Sequence, residues 1–111
     1  REVYATIDQG IMIIKPGFDK ILHVSERFEQ ITMRTSDVFL RDSDTYLDIV
    51  DHSDRERVVA QYKDIESQGW DLTYSVKRRD GSVVKIHDIA KRETVDSHDH
   101  DILTSVITVI E

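Results

Sequence analysis

Leu72-Thr73-Tyr74-Ser75-Val76-Lys77-Arg78-Arg79-Asp80-Gly81-Ser82-Val83-Val84-Lys85-Ile86 decides the fold, because it joins two strand-like runs and makes them neighbours. The Asp80-Gly81 pair is read as supplying the positive φ angles of a tight hairpin turn. Before it, Leu72, Tyr74 and Val76 alternate with Asp71, Thr73, Ser75 and Lys77, the period-two pattern of a half-buried strand. After it, Val83 to Ala90 is equally strand-like, and Ile102 to Ile110 follows as a last strand, with Leu103, Ser105 and Ile107 alternating with Thr104, Val106 and Thr108.

Upstream of the hairpin the period changes. Ser53-Asp54-Arg55-Glu56 has the form of a capping box, in which Ser53 and Glu56 each satisfy a free backbone N–H. Val58, Val59, Tyr62 and Ile65 then form one apolar stripe of a helix that Gly69 is expected to stop. Tyr46 to Val50 leads into that helix, and Ser36 to Leu40 predicts a single turn. Ser25 caps a brief helix carrying Phe28 and Ile31. Farther back, Ile11 to Ile14 and Ile21 to Val24 read as strands joined by the Lys15-Pro16-Gly17-Phe18-Asp19 turn. Val3, Tyr4 and Ile7 fall at helical spacing, so residues 1–9 read as the end of a flanking helix capped by Gly10, and residues 10–111 as one domain. The predicted fold is α+β: one antiparallel sheet of five strands, with short helices and one longer helix across one face.

Composition excludes several kinds of function. With 15 Lys plus Arg against 22 Asp plus Glu the formal charge is −7, which repels phosphate backbones and anionic lipid and argues against nucleic-acid or membrane-surface binding. The one basic run, Lys77-Arg78-Arg79, reads as a solvated hairpin end. The chain holds no cysteine, so disulfides, thiolate metal sites and cysteinyl-flavin photochemistry are ruled out. Neither an apolar run long enough to span a bilayer nor a signal-peptide pattern is present in these residues, which gives a cytoplasmic expectation. The opening at Arg1-Glu2-Val3-Tyr4 reads as a domain excised from a longer protein.

The order of two strands, short helices, a longer helix and three strands resembles a PAS domain. Val50-Asp51-His52-Ser53-Asp54-Arg55 before the long helix and Arg78-Arg79-Asp80-Gly81-Ser82 at the hairpin also carry the resemblance. The nearest subtype commonly reads His-Pro-x-Asp-Arg and Arg-(Arg/Lys)-Asp-Gly-Ser at these places. Here Asp51-His52 replaces His-Pro, Ser25 stands where relatives often have Asn, and Met33 where they have Gly. Val109-Ile110-Glu111 stands at the common Asp-Ile-Thr ending. The resemblance implies a non-enzymatic sensory or protein-interaction module, set upstream of a histidine kinase, diguanylate cyclase or similar output domain. It also implies a small cavity between sheet and helices and a ligand that acts by favouring one of two packings; a homodimer is expected as well. A pure dimerisation module without ligand is the alternative, and a small α+β enzyme a remote one. Apolar residues on both faces of the last strands, Val83 and Ile89 opposite Val84 and Ile86, support dimerisation through the sheet and the N-terminal helix.

Candidate pocket residues are Phe28, Tyr62, Tyr74, Ile86 and Asp88; the aromatics read first as core packing. Asp88 shares a strand face with Val84, Ile86 and Ala90, so its carboxylate must find a partner or shift its pKa. Two readings stand: contact with a pocket ligand, or a strand turning towards solvent there, the second preferred. Ser53, Asp54, Glu56, Asp80 and Gly81 are structural. His98-Asp99-His100-Asp101 reads as a solvated loop rather than a metal site. Haem-binding relatives take their axial His from the long helix, and Asp54 to Gln68 contains none; His23 and His87, expected partly buried on strands, are the remaining haem candidates. His52 is read as hydrogen-bonding the loop before the helix. No nucleophile elbow or glycine-rich phosphate loop accompanies the Ser, His and Asp residues, so no catalytic residue is assigned.

Overall fold

Period-two burial organises five strands, β1 (Gln9–Ile14), β2 (Ile21–Val24), β3 (Gly69–Lys77), β4 (Val83–Thr94) and β5 (Asp101–Ile110), into one sheet of order β2-β1-β5-β4-β3, antiparallel at every pairing. The computed structural model describes residues 8–96 and 100–110. Between β2 and β3 run α1 (Glu26–Thr32), α2 (Ser36–Arg41), α3 (Asp44–Ile49) and α4 (His52–Lys63). Met12, Ile14, Tyr74, Val76, Ile86, Leu103 and Ile107 on the inward strand positions share one core with Phe28, Ile31, Phe39, Tyr46, Val58 and Tyr62 from the helices. The α+β architecture with its longest helix at α4 is as the sequence pattern implied.

The hairpin forms where expected but by other means. Only Gly81, at φ 91, has positive φ in the loop. Gly81 N–H donates to the Arg78 carbonyl at 2.9 Å and Arg78 N–H to the Ser82 carbonyl at 2.7 Å. The loop is therefore a turn closed by one left-handed residue rather than a two-residue turn with both centres at positive φ. Asp80 acts through its side chain, accepting from the N–H and hydroxyl of Ser82 at 2.9 and 2.7 Å.

Docking against β3 also moves the start of α4. Val50 bridges Val76, and Asp51 N–H donates to the Ser75 carbonyl at 2.8 Å. Asp51 is thereby fixed as the N-cap, accepting from Ser53 N–H at 3.3 Å and Ser53 Oγ at 2.6 Å. The expected Ser53–Glu56 box is thus replaced by a cap two residues earlier, and Glu56 is exposed. Asp54 accepts from Ser75 N–H at 3.0 Å and pairs with Arg57 at 2.9 Å, while Arg57 donates to the Thr73 carbonyl. The first turns of α4 therefore cover the edge of β3, which would otherwise offer a pairing template.

Three further expectations are corrected. Helix α4 ends at Lys63, so Ile65 is not on its stripe and is 62% exposed; Gly69 opens β3 instead of stopping the helix. Gln9 and Gly10, read as a helix end and its cap, lie in β1, where a Cβ on Gly10 would come within 3.0 Å of the Phe28 Cα; the glycine lets α1 pack directly on the strand. The remainder of the expected flanking helix, residues 1–7, lies outside the described residues. His23, expected partly buried, is exposed, whereas His87 is half-buried as expected and paired with Asp71 at 2.6 Å.

Candidate functional site

Strand register places a fully buried carboxylate in the interior. Asp88 occupies an inward position of β4 at 0% exposure. β3 pairs Trp70 with Ala90 and Tyr74 with Ile86, and β5 pairs Ser105 with Ala90. Trp70, Tyr74 and Ser105 therefore stand diagonally across from Asp88 on the same face, at an offset that long side chains can bridge. Tyr62 reaches it from α4.

Four donors converge on this carboxylate. Oδ1 accepts from Trp70 Nε1 at 3.0 Å and Ser105 Oγ at 2.6 Å. Oδ2 accepts from Tyr62 Oη and Tyr74 Oη, each at 2.6 Å. Tyr46 Oη lies 2.7 Å from Tyr74 Oη. Because the Tyr74 proton goes to Asp88, Tyr46 is the donor in that pair. Every hydroxyl proton has an acceptor, and both carboxylate oxygens are occupied. Protonating Asp88 would leave one of the four donors without its acceptor.

Burial pushes the Asp88 carboxyl above the ordinary carboxylate range, opposed by the hydrogen bonds from Ser105, Tyr62, Tyr74 and Trp70. Burial, followed by the nearby Asp88 charge, raises Tyr46, Tyr62 and Tyr74 well above the usual phenol range. The tyrosines are therefore fixed as neutral donors at physiological pH. No Lys, Arg or His pairs with Asp88 among the described residues.

Aromatic rings fill the space around this cluster. Tyr62 stacks at 4.3 Å from Trp70 and meets the edge of Phe18 at 5.0 Å, while Phe28 packs on Phe39 at 5.3 Å and Tyr46 at 5.4 Å. The main recesses on the surface are lined by other residues than Asp88 and its partners. All five pocket candidates are buried. Tyr62, Tyr74 and Asp88 meet by hydrogen bonds; Ile86 packs opposite Tyr74, and Phe28 belongs to a neighbouring aromatic group. The preferred reading of Asp88 as solvent-facing is overturned, because three aromatic side chains and a serine supply the donors that water would have given. Trp70, Ser105 and Tyr46 were not among the candidates. Extending the Leu72-Tyr74 alternation two residues back reaches Trp70, and Ser105 already shared the face of Leu103 and Ile107.

Elsewhere, His98 and Asp99 lie outside the described residues, and Asp101 is committed to Arg92 at 2.7 Å and to Thr94 at 2.8 Å. His52 is the exposed first residue of α4. Among the described residues no group of three or more His, Cys, Asp or Glu side chains is placed to hold a metal, and no helix is long and apolar enough to cross a membrane.

A sheet in the order β2-β1-β5-β4-β3, with four helices inserted along the chain between β2 and β3, defines the PAS class of fold. The family model described as PAS fold matches residues 21–104, and the chain belongs to that family. Among curated proteins no sequence matches it. Solved structures of similar fold include a domain of a putative light and redox sensing histidine kinase from Haloarcula marismortui, 14% identical with a TM-score of 0.74, covering 100% of this chain and 97% of that one. The PAS domain of an HTR-like protein from the same organism is 18% identical with a TM-score of 0.72, covering 95% and 84%. The LOV domain of the blue-light activated histidine kinase of Erythrobacter litoralis is 15% identical with a TM-score of 0.67, covering 94% and 97%.

Proposed function

We propose that residues 10–111 form a non-catalytic input module that regulates an output domain of histidine kinase or diguanylate cyclase type in the same polypeptide. Its interior acts as a closed structural core, and signalling runs through dimerisation on the outer sheet face. The observation that carries this reading is the saturation of Asp88: four donors from the protein itself occupy the positions at which a ligand would bind. The family match and the kinase origin of the similar structures support the input role. A cysteinyl-flavin mechanism has no place in it, because the chain contains no cysteine.

The outer face supports the dimer. Ile89, Val106 and Ile11 are consecutive cross-strand partners in one row, and Ile89 is 47% exposed. A second reading, a small molecule in the interior, draws on one observation: Asp88 is a buried carboxylate with no cation beside it among the described residues, so a cationic ligand displacing one donor would relieve its desolvation. Native mass spectrometry of protein purified from cells separates the two. A dimer without retained small molecule is expected; a stoichiometric ligand would overturn the closed core.

A further inference from the structure

The C-terminal end of α1 gathers Arg34, Arg78 and Arg79, none of which forms an ion pair with the described residues. Met33 reverses the chain in a left-handed conformation, and the tip of the β3–β4 hairpin docks on the exposed helix end. Arg79 N–H donates to the Thr32 carbonyl at 3.2 Å, and Arg78 Nε to the Ile31 carbonyl at 3.3 Å. Arg34 Nη1 donates to the carbonyls of Thr32 at 3.0 Å and Lys77 at 2.8 Å. These bonds cap the helix but neutralise no charge. Among the described residues no carboxylate lies within ion-pairing distance of Arg34, Arg78 or Arg79. Asp80, the nearest in sequence, is turned onto Ser82, and the arginine whose charge it feels is Arg78, not Arg34 or Arg79. In a chain of formal charge −7, Arg34 and Arg79 thus stand without an ion pair among the described residues.

Arg34 and Arg79 stand close enough to repel each other: burial and then the Arg79 charge hold the Arg34 guanidinium below the ordinary arginine range. Both line a groove of about 720 Å³ whose apolar surface is supplied by Met33, 42% exposed, and Val38. That volume is of the order of small-molecule sites. Glu26 and Glu29 line it too. Glu29 is held by Ser36 N–H, and neither it nor Glu26, the first residue of α1, forms an ion pair with Arg34 or Arg79.

We propose that this groove is a binding site for a small organic anion with an apolar body, its carboxylate or phosphate held between Arg34 and Arg79 and its body lying over Met33 and Val38. The Arg34 guanidinium, pre-placed by its two bonds to backbone carbonyls, and the Arg79 guanidinium beside it offer charge-assisted, fork-shaped donors to such a head group, with Arg34 already ordered. The site stands apart from the interior around Asp88 and does not depend on the closed-core reading.

The test is an NMR titration of residues 1–111 with phenylacetate, acetate and the neutral phenylacetamide. Phenylacetate is expected to shift the amides of Met33, Arg34, Val38 and Arg79 saturably, at least tenfold more tightly than acetate or phenylacetamide, and more weakly as salt is raised. The Arg79 side chain makes no hydrogen bond to the described residues, so Arg79→Gln is expected to weaken binding about tenfold while leaving the remaining spectrum in place. Arg34→Lys, which keeps the charge but loses the fork, is expected to weaken it by a smaller factor. Absence of saturable shifts, equal binding of phenylacetamide, shifts centred away from these residues, or unchanged affinity in Arg79→Gln would each overturn the assignment.

Discussion

Asp88 and its four donors concentrate the polar energetics of the interior in one side chain. Tyr62→Phe removes one hydrogen bond to a buried carboxylate without opening a cavity, and is expected to lower stability by about 1–3 kcal/mol in urea denaturation. Asp88→Leu should be worse than any single donor change, since Trp70, Tyr62, Tyr74 and Ser105 would all lose their acceptor at once. The phenols give a pH prediction. Their folded pKa values are raised, so the folded state holds these protons more tightly than the unfolded chain, whose tyrosines titrate near the ordinary phenol value of 10.0. Stability from them is complete below that pH and is lost as pH rises beyond it. Absorbance at 295 nm is therefore expected to show Tyr46, Tyr62 and Tyr74, three of the four tyrosines, ionising together with the loss of circular dichroism. Independent titration of these three before unfolding would contradict the closed network.

At the scale of elements, two left-handed residues of different type make a matched pair of tests. Met33 ends α1 at φ 58, a conformation that strains any residue with a Cβ. Met33→Gly is expected to raise stability by about 1 kcal/mol, seen as a higher melting temperature. Gly81 closes the hairpin at φ 91 with nothing within 4 Å of the position a Cβ would take, so Gly81→Ala meets no clash and should destabilise by about 1 kcal/mol through backbone conformation alone. Opposite signs are the expected result; equal signs would mean that packing around the two turns, and not φ, controls them. The same comparison shows what was legible locally. Ser25 caps α1 as its residue type suggests, accepting from Phe28 N–H at 3.3 Å. The Ser53–Glu56 signal lost to Asp51 because β3 holds the backbone at Asp51 and Ser75, and a tertiary bond outranks a local capping preference.

For the whole molecule the outer sheet face is the surface on which the proposed regulation rests. Sedimentation velocity is expected to show a dimer, and Ile89→Asp to shift it to monomer with little change in melting temperature, since Ile89 is half exposed and lies outside the core. A monomeric parent protein at high concentration would remove the dimer from the proposal and leave the fold untouched. Charge is distributed unevenly over the same molecule: its surplus is acidic, yet at the end formed by α1 and the hairpin tip Arg34 and Arg79 form no ion pair with the described residues.

Strand alternation, the Gly81 turn and the order of elements lie in the sequence alone, because side-chain periodicity and left-handed backbone preference are local properties that need no knowledge of neighbours. Where α4 begins and ends, and whether Asp88 faces water or the core, were decided only in the tertiary structure. The donors to Asp88 lie 14, 17, 18 and 26 residues away along the chain, on three other elements. No local pattern encodes such a set. Sheet register and the docking of α4 bring it together, and burial then makes its complete hydrogen bonding a condition of the fold.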